Sequence, residues 1–378
     1  MATAVAAAES RAEVASPGAL RVGYIFSRRA DLVWFLSLPF AAVLIALGAQ
    51  TWLSFAAVAS VNLWITVPHH YATWVRSYAM PDEFQRFRGR LLAGPVLIIA
   101  FAAAGLTWAP ITLTLVVLAW DHQHSIMQQH GFARIYDFKA KSGMASTGRM
   151  DLTLHLLLYG NMAVNAPMFR HLWIRELYQM DIPISVAFVQ MLTTGAWVAL
   201  GVYLVIYAVH LVRTVRAGHQ LNPMKYAFLA ASYFLWYFTA WHTNSILLYG
   251  VAHRIMHGVQ YIVMVYFFLD RTKKQGEARP GLWSRLAGEG HLTWFLLAAG
   301  AYALLFQFLL GSPLDEFGFG VVNFANYQAI PSFDLPNLGF QGGYELFSLT
   351  VLNVYGMTHY YVDSFIWKVR DRRVQRGL

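Results

Sequence analysis

DLVWFLSLPFAAVLIALGAQTWLSFAAVASVNLWITVP, residues Asp31–Pro68, carries no charge after its first residue. About twenty apolar residues suffice to cross the ~30 Å hydrocarbon core of a bilayer as a helix. This stretch therefore reads as two spans in succession. Working outward, further apolar windows lie near 91–109, 110–130, 151–167, 184–211, 226–247, 250–269, 292–311 and 345–367. The pattern predicts an all-α, polytopic transmembrane bundle of about eight to ten helices. Composition agrees: 57% of the 378 residues are hydrophobic and 12% charged, against about 25% charged in soluble domains.

The net charge of +9 does not point to nucleic acid, because the cations are segregated. Most lie in short segments: Arg21–Arg29, Arg76–Arg90, Arg134–Arg149, Arg213–Lys225, Arg271–Arg285 and Lys368–Arg376. Arg170, Arg175 and Arg254 are exceptions. None occurs between Arg285 and Lys368. Such asymmetry marks cytoplasmic loops and a cytoplasmic C-terminus in a bacterial-type inner membrane. Residues 1–29 read as a disordered cytoplasmic tail, 30–370 as the transmembrane domain and 371–378 as a basic tail. The Gly-, Pro- and Phe-rich loop 311–345 reads as a periplasmic cap or lid. With no cysteine, thiolate metal sites and cysteine nucleophiles are excluded.

Fourteen histidines are many for such a chain. VPHHYATWVRSY supplies His69 and His70, and AWDHQHSIMQQHGFARIY supplies Asp121, His122, His124 and His130. MDLTLHLLLYG supplies Asp151 and His155, and WHTNSILLYGVAHRIMHG supplies His242, His253 and His257. MTHYYVDSFIWK supplies His359 and Asp363.

Residues four apart on a helix project from one face one turn apart. His253 with His257, Asp151 with His155 and His359 with Asp363 meet this condition. His242 precedes His253 by nearly three whole turns, so it joins that stripe, with Tyr249, if the helix is continuous. The segment Lys225–Arg271 is also long enough for two spans joined at Tyr249–Val251, and the sequence leaves that choice open. His122 and His130 are about 80° apart and face one cavity, while His124 pairs better with Gln128. Intramembrane ionisable groups are costly unless paired or metal-bound.

Paired imidazoles chelate first-row metals, and a neighbouring Asp either ligates or orients the ring. Many imidazoles with one or two carboxylates suit iron, or else zinc or copper, and so many candidates suit two ions that activate O₂. Tyr249 and Asp363 are candidate catalytic groups beside these ligands. Aromatic residues such as Trp64, Trp120 and Tyr355 suit a hydrophobic acyl, sterol or polyene substrate.

The histidine clusters resemble, in logic, those of integral-membrane fatty acid desaturases and hydroxylases, which hold two irons. No HxxHH or HxxxHH box is present. A closer resemblance is to the bacteriorhodopsin-related β-carotene dioxygenase family. It rests on Pro68–His69, the Asp121–His130 cluster, His253–His257, and His359 followed by Asp363. Thr73 stands where an acid is expected after the first of these histidines. The resemblance implies a membrane-embedded non-heme di-iron oxygenase acting on a hydrophobic substrate. No flavin, nicotinamide or iron–sulfur motif is visible, so the reductant is a separate protein or the substrate itself. Two other classes remain: a b-type cytochrome with haem between histidines, and a proton- or metal-coupled transporter.

Overall fold

A computed structural model describes residues 19–275, 291–310 and 343–378. Among these the chain is all-helical, with twelve helices. α1 is Arg28–Trp52 and α2 is Phe55–Ser77. α3 (Pro81–Trp108), α4 (Pro110–Ala140), α5 (Thr147–Asn165) and α6 (Pro167–Gln179) follow. After α7 (Val186–Arg216) come α8 (Pro223–His242) and α9 (Ile246–Lys274). α10 (Leu292–Leu310), α11 (Gly343–Ile366) and the short α12 (Arg372–Gly377) complete the order.

The helix starts follow local chemistry. Ser54, Ser185 and Ser245 accept the backbone N–H three residues on, satisfying donors that the first turn leaves free. Pro81, Pro110, Pro167 and Pro223 occupy first positions, where a missing N–H costs nothing. Proline inside a helix acts differently. Pro39 cannot donate to the Phe35 carbonyl, and the turn just before it widens into π geometry over Leu32–Ser37. Pro68 interrupts the ladder of α2 immediately before His69 and His70.

α9 is the centre of the bundle. It packs most extensively against α2, then α1 and α8, and Met256, Val251, Ala252 and Val265 on it are fully buried. α11 lies on α3, α4 and α2, where Gly94 leaves room for the Tyr361 ring to sit on the α3 backbone. The periphery is apolar rather than polar. Leu97 of α3 is 69% exposed and Val205 of α7 65% exposed, among many others. Three described helices, α1, α3 and α7, are long and apolar enough to cross a membrane.

Several boundaries differ from the sequence expectations. The chain breaks after His242, at Thr243–Ser245, a few residues before Tyr249–Val251. Thr243 is extended (φ −94°, ψ 152°), which ends α8. Residues 19–29, expected within a free tail, are docked instead. Leu20 bridges Leu221, the Asn222 amide side chain clasps Gly23, and Ile25 is fully buried. The basic 371–378 segment forms α12 with Val374 buried. Arg76 and Lys225, grouped by sequence with loop cations, are fully buried. Arg76 pairs with Glu83 at 3.3 Å under the Phe268 ring, 4.2 Å away, and Lys225 pairs with Asp137 and Asp151. The helix α6 was not anticipated, because its polar PMFRHLWIRELYQ has no apolar window. The 1–18 segment and the proposed cap, apart from 343–345, lie outside the described residues.

Candidate metal centre

Four helices each contribute one imidazole to a single point: His69 of α2, His124 of α4, His257 of α9 and His359 of α11. All four are buried, and one ring nitrogen from each lies within 4.8 Å of the others. Ring centroids are 4.2 Å apart for His69–His359, 4.7 Å for His124–His359 and 4.8 Å for His69–His257. His359 Nε2 stands 3.1 Å from His124 Nε2. Asp363 turns the same way, with Oδ2 3.8 Å from His359 Nε2 and 3.9 Å from His124 Nε2. His70 stacks at the margin, 4.5 Å from the His359 ring.

Hydrogen bonds set the orientation of His359. Tyr261 OH donates to Asp363 Oδ1 at 2.7 Å and accepts from Trp367 Nε1 at 3.1 Å. Thr73 Oγ1 donates to Tyr261 OH at 2.8 Å, which leaves its lone pair for His359 Nδ1 at 2.7 Å. That assignment puts the His359 proton on Nδ1 and aims the Nε2 lone pair at the other histidines. Such a partner on the far nitrogen is the usual support of a metal-binding imidazole.

His253 is satisfied in the opposite sense. Ser125 Oγ donates to the Asp121 carbonyl at 2.9 Å and so accepts from His253 Nε2, 3.1 Å away. Trp236 Nε1 donates to His253 Nδ1 at 2.7 Å. Both nitrogens are thereby engaged, and the ring stacks on His257 at 5.4 Å with an interplanar angle of 11°. It backs His257 rather than facing the cluster.

The remaining candidates lie elsewhere. The expected inward face of α4 carried His122 and His130, but His124 is the residue that reaches the cluster. α4 is buried on two sides, so rotation about its axis alone does not identify the one facing the cluster. His122 Nδ1 lies 2.6 Å from the Leu118 carbonyl, and its ring faces Tyr159 and Phe169. His130 sits 5.7 Å from His155. Asp121 is hydrogen-bonded to Tyr360, whose ring stacks on His124 at 4.9 Å. Asp151 binds Lys225 and Tyr207 rather than pairing with His155, which bonds Tyr233. His242 is exposed at the end of α8 and packs on Phe238. Its place on the His253 stripe required a continuous helix. Tyr249 lies behind His253, with its hydroxyl 2.9 Å from Tyr159.

Thr73, Tyr261, Ser125 and Trp236 escaped sequence reasoning. Hydroxyls and indoles are common in membrane helices, and their spacing to the histidines spans separate segments. Thr73 had one available signal, standing four residues after His69 where an acid was expected.

The donor set fits a first-row cation. Histidine nitrogens sit ~2.0–2.1 Å from such an ion, so nitrogens around one ion lie about 3 to 4.2 Å apart. Small side-chain rotations bring this group into that range. His69 Nε2, His70 Nδ1 and both nitrogens of His257 are buried without a hydrogen-bond partner among the described residues. An unmet buried polar atom costs ~1–3 kcal/mol, and here several surround one point. An ion would use these lone pairs.

A cavity of about 1280 Å³ opens beside His124 and Asp363. It follows one stripe of α4 through Gln128, Gly131 and Ile135, with Tyr360 and Trp367 opposite. Comparison with protein families, curated proteins and solved structures gave no match to this chain.

Proposed function

We propose that the protein is a membrane-embedded non-heme iron oxygenase acting on a hydrophobic substrate. The observation that carries this reading is the convergence of His69, His124, His257 and His359, with Asp363 beside them, and a large cavity that His124 and Asp363 also line. Nitrogen ligands with one carboxylate and no thiolate suit iron. The lipid-facing character of α1, α3 and α7 and the widespread exposed apolar side chains support a multi-pass membrane protein with access for lipid-soluble molecules.

His69, His124, His257 and His359 would hold an ion, with Asp363 Oδ2 beside His124 and His359 and with His70 at the margin of the group. Bound iron supplies the capacity to activate O₂ for attack on an unactivated C–H or C=C bond. The chain's own residues do the rest. Thr73 and Tyr261 fix the His359 ring and the Asp363 carboxylate, so both face the same point. His253, locked between Trp236 and Ser125, holds His257 from behind. The cavity walls orient the substrate chain. A separate electron-donor protein supplies reducing equivalents where the substrate does not.

Haem is disfavoured on geometry. The four rings close to centroid separations of 4.2–5.0 Å, which leaves no slot for a porphyrin among them. The direct test reconstitutes iron-loaded protein in nanodiscs with a chemical reductant and measures O₂ uptake on adding long-chain acyl, sterol or polyene compounds. Substrate-dependent uptake, absent from His359→Phe, is expected. Uptake that is identical in His359→Phe would overturn the reading.

A further inference from the structure

The cavity leading to the histidines has a charge gradient. Five cations line it, Arg134, Lys139 and Lys141 from α4 and its C-terminal cap, and Lys368 and Arg370 just beyond α11. Two segments far apart in sequence thus bring positive charge to one opening. Only two carboxylates line the same space. Asp137 is neutralised by Lys225 at 3.1 Å and Arg134 at 2.9 Å, and Asp363 lies at the inner end with the histidines. Lys141, Lys368 and Arg370 have no ion-pair partner among the described residues. Between the cations and His124 the walls mix apolar Met127, Ile135, Met264 and Trp367 with polar Gln128 and His130.

Distance along α4 gives the layout a scale. Arg134 and Lys139 follow His124 by ten and fifteen residues, or about 15 and 22 Å of helix rise. Half the ~30 Å hydrocarbon core of a bilayer, the reach of one acyl chain, is about 15 Å. The volume of about 1280 Å³ exceeds the ~300–1,000 Å³ of ordinary small-molecule sites. Gly131 sits midway on the stripe, and a Cβ added there would meet nothing within 4 Å, so the cavity passes over bare backbone.

We infer that the substrate is a single-chain amphiphile with an anionic head, carboxylate or phosphate, bound at the basic opening with its chain running past Gly131 toward the histidines. The inference rests on the oxygenase reading for its identification of the cavity as a substrate site. Topology alone explains cations at helix ends, but not their convergence on one cavity that also reaches His124 and Asp363. A neutral sterol or polyene would leave Lys368 and Arg370 without a role. A cationic amphiphile would be repelled.

The test measures equilibrium binding of radiolabelled hexadecanoate, hexadecyl phosphate and hexadecanol to full-length protein in phosphatidylcholine nanodiscs at low salt. Either anion should bind at least about tenfold tighter than the alcohol, as charge-assisted contacts imply. A tighter phosphate marks a phospholipid-type head and a tighter carboxylate a free acid, and both support the inference. Replacing two of the exposed cations, Lys368→Gln with Arg370→Gln, should shrink the preference to within about threefold while leaving iron content unchanged. Gly131→Phe should weaken all three ligands alike. Equal binding of alcohol and anions, or a preference that survives the double replacement, would overturn the inference. Protein that takes up no iron on reconstitution yet keeps the anion preference would overturn the oxygenase reading and leave the binding site standing.

Discussion

Two buried polar clusters lie along α4, and they are built in opposite ways. Near its C-terminal end, Lys225 sits between Asp137 and Asp151 at 3.1 Å from each. Tyr207 donates to Asp151 at 2.6 Å, and Ser142 and Arg134 complete the partners of Asp137. Every carboxylate oxygen there is met. About 20 Å up the helix, around His124, the histidines leave four ring nitrogens unmet. At its edge the lower nest resembles the upper group, where His130 Nδ1 and His155 Nε2 lack partners among the described residues. A closed network such as the lower one fixes the fold. An open one is held by its surroundings for something that has still to bind.

Breaking the closed network should have the largest effect. Lys225→Met leaves Asp137 and Asp151 buried without a cation and should cost about 3–5 kcal/mol of stability. Thermal unfolding in detergent checks this, and a loss below 1 kcal/mol would mean the nest is not a structural lock. His257→Phe should do the reverse. It removes two unmet nitrogens, so the metal-free protein should be as stable as wild type or more so, yet bind no metal.

That contrast also shows how much was legible. The apolar run of Asp31–Pro68 and its neighbours fixes an all-helical chain, and His359 with Asp363 do share a face, with 3.8 Å between Nε2 and Oδ2. His253 and His257 are also stacked as their spacing implies, but only His257 reaches the cluster. The difference lies in Trp236, seventeen residues earlier on another helix, which no local spacing reveals. His124 was misplaced for a related reason. Helical rotation says which residues share a face but not which neighbour that face meets. Lys225 and Arg76 escaped because a lone cation at a span end reads the same whether it meets water or a buried carboxylate.

Intermediate effects sharpen the account of the upper group. Thr73→Val keeps the shape but removes the oxygen that His359 Nδ1 and Tyr261 share. Metal affinity should fall ~10–100-fold with the fold intact, as competition with a graded chelator would read out. Unchanged affinity would remove Thr73 from the site.

The smallest effect lies at the surface, where Arg86 Nη2 meets Asp371 Oδ2 at 2.5 Å. Partial burial alone would raise the Asp371 carboxyl, but the Arg373 amide and Arg86 outweigh it and hold it below the usual carboxylate range. The stabilisation is therefore present above about pH 4 and fades as pH falls through the lower folded value. Arg86→Gln should cost no more than about 1 kcal/mol near neutral pH and nothing in strong acid. A constant cost across that range would assign Arg86 a packing role instead.

The most direct measurement is metal content by mass spectrometry on detergent-purified protein, taken alongside His257→Phe and His253→Phe. One or two irons per chain in the wild type are expected, none in His257→Phe, and retention in His253→Phe, because the His253 nitrogens already belong to Trp236 and Ser125. Iron that persists in His257→Phe, or a wild-type protein that takes up no metal even on reconstitution, would contradict the account.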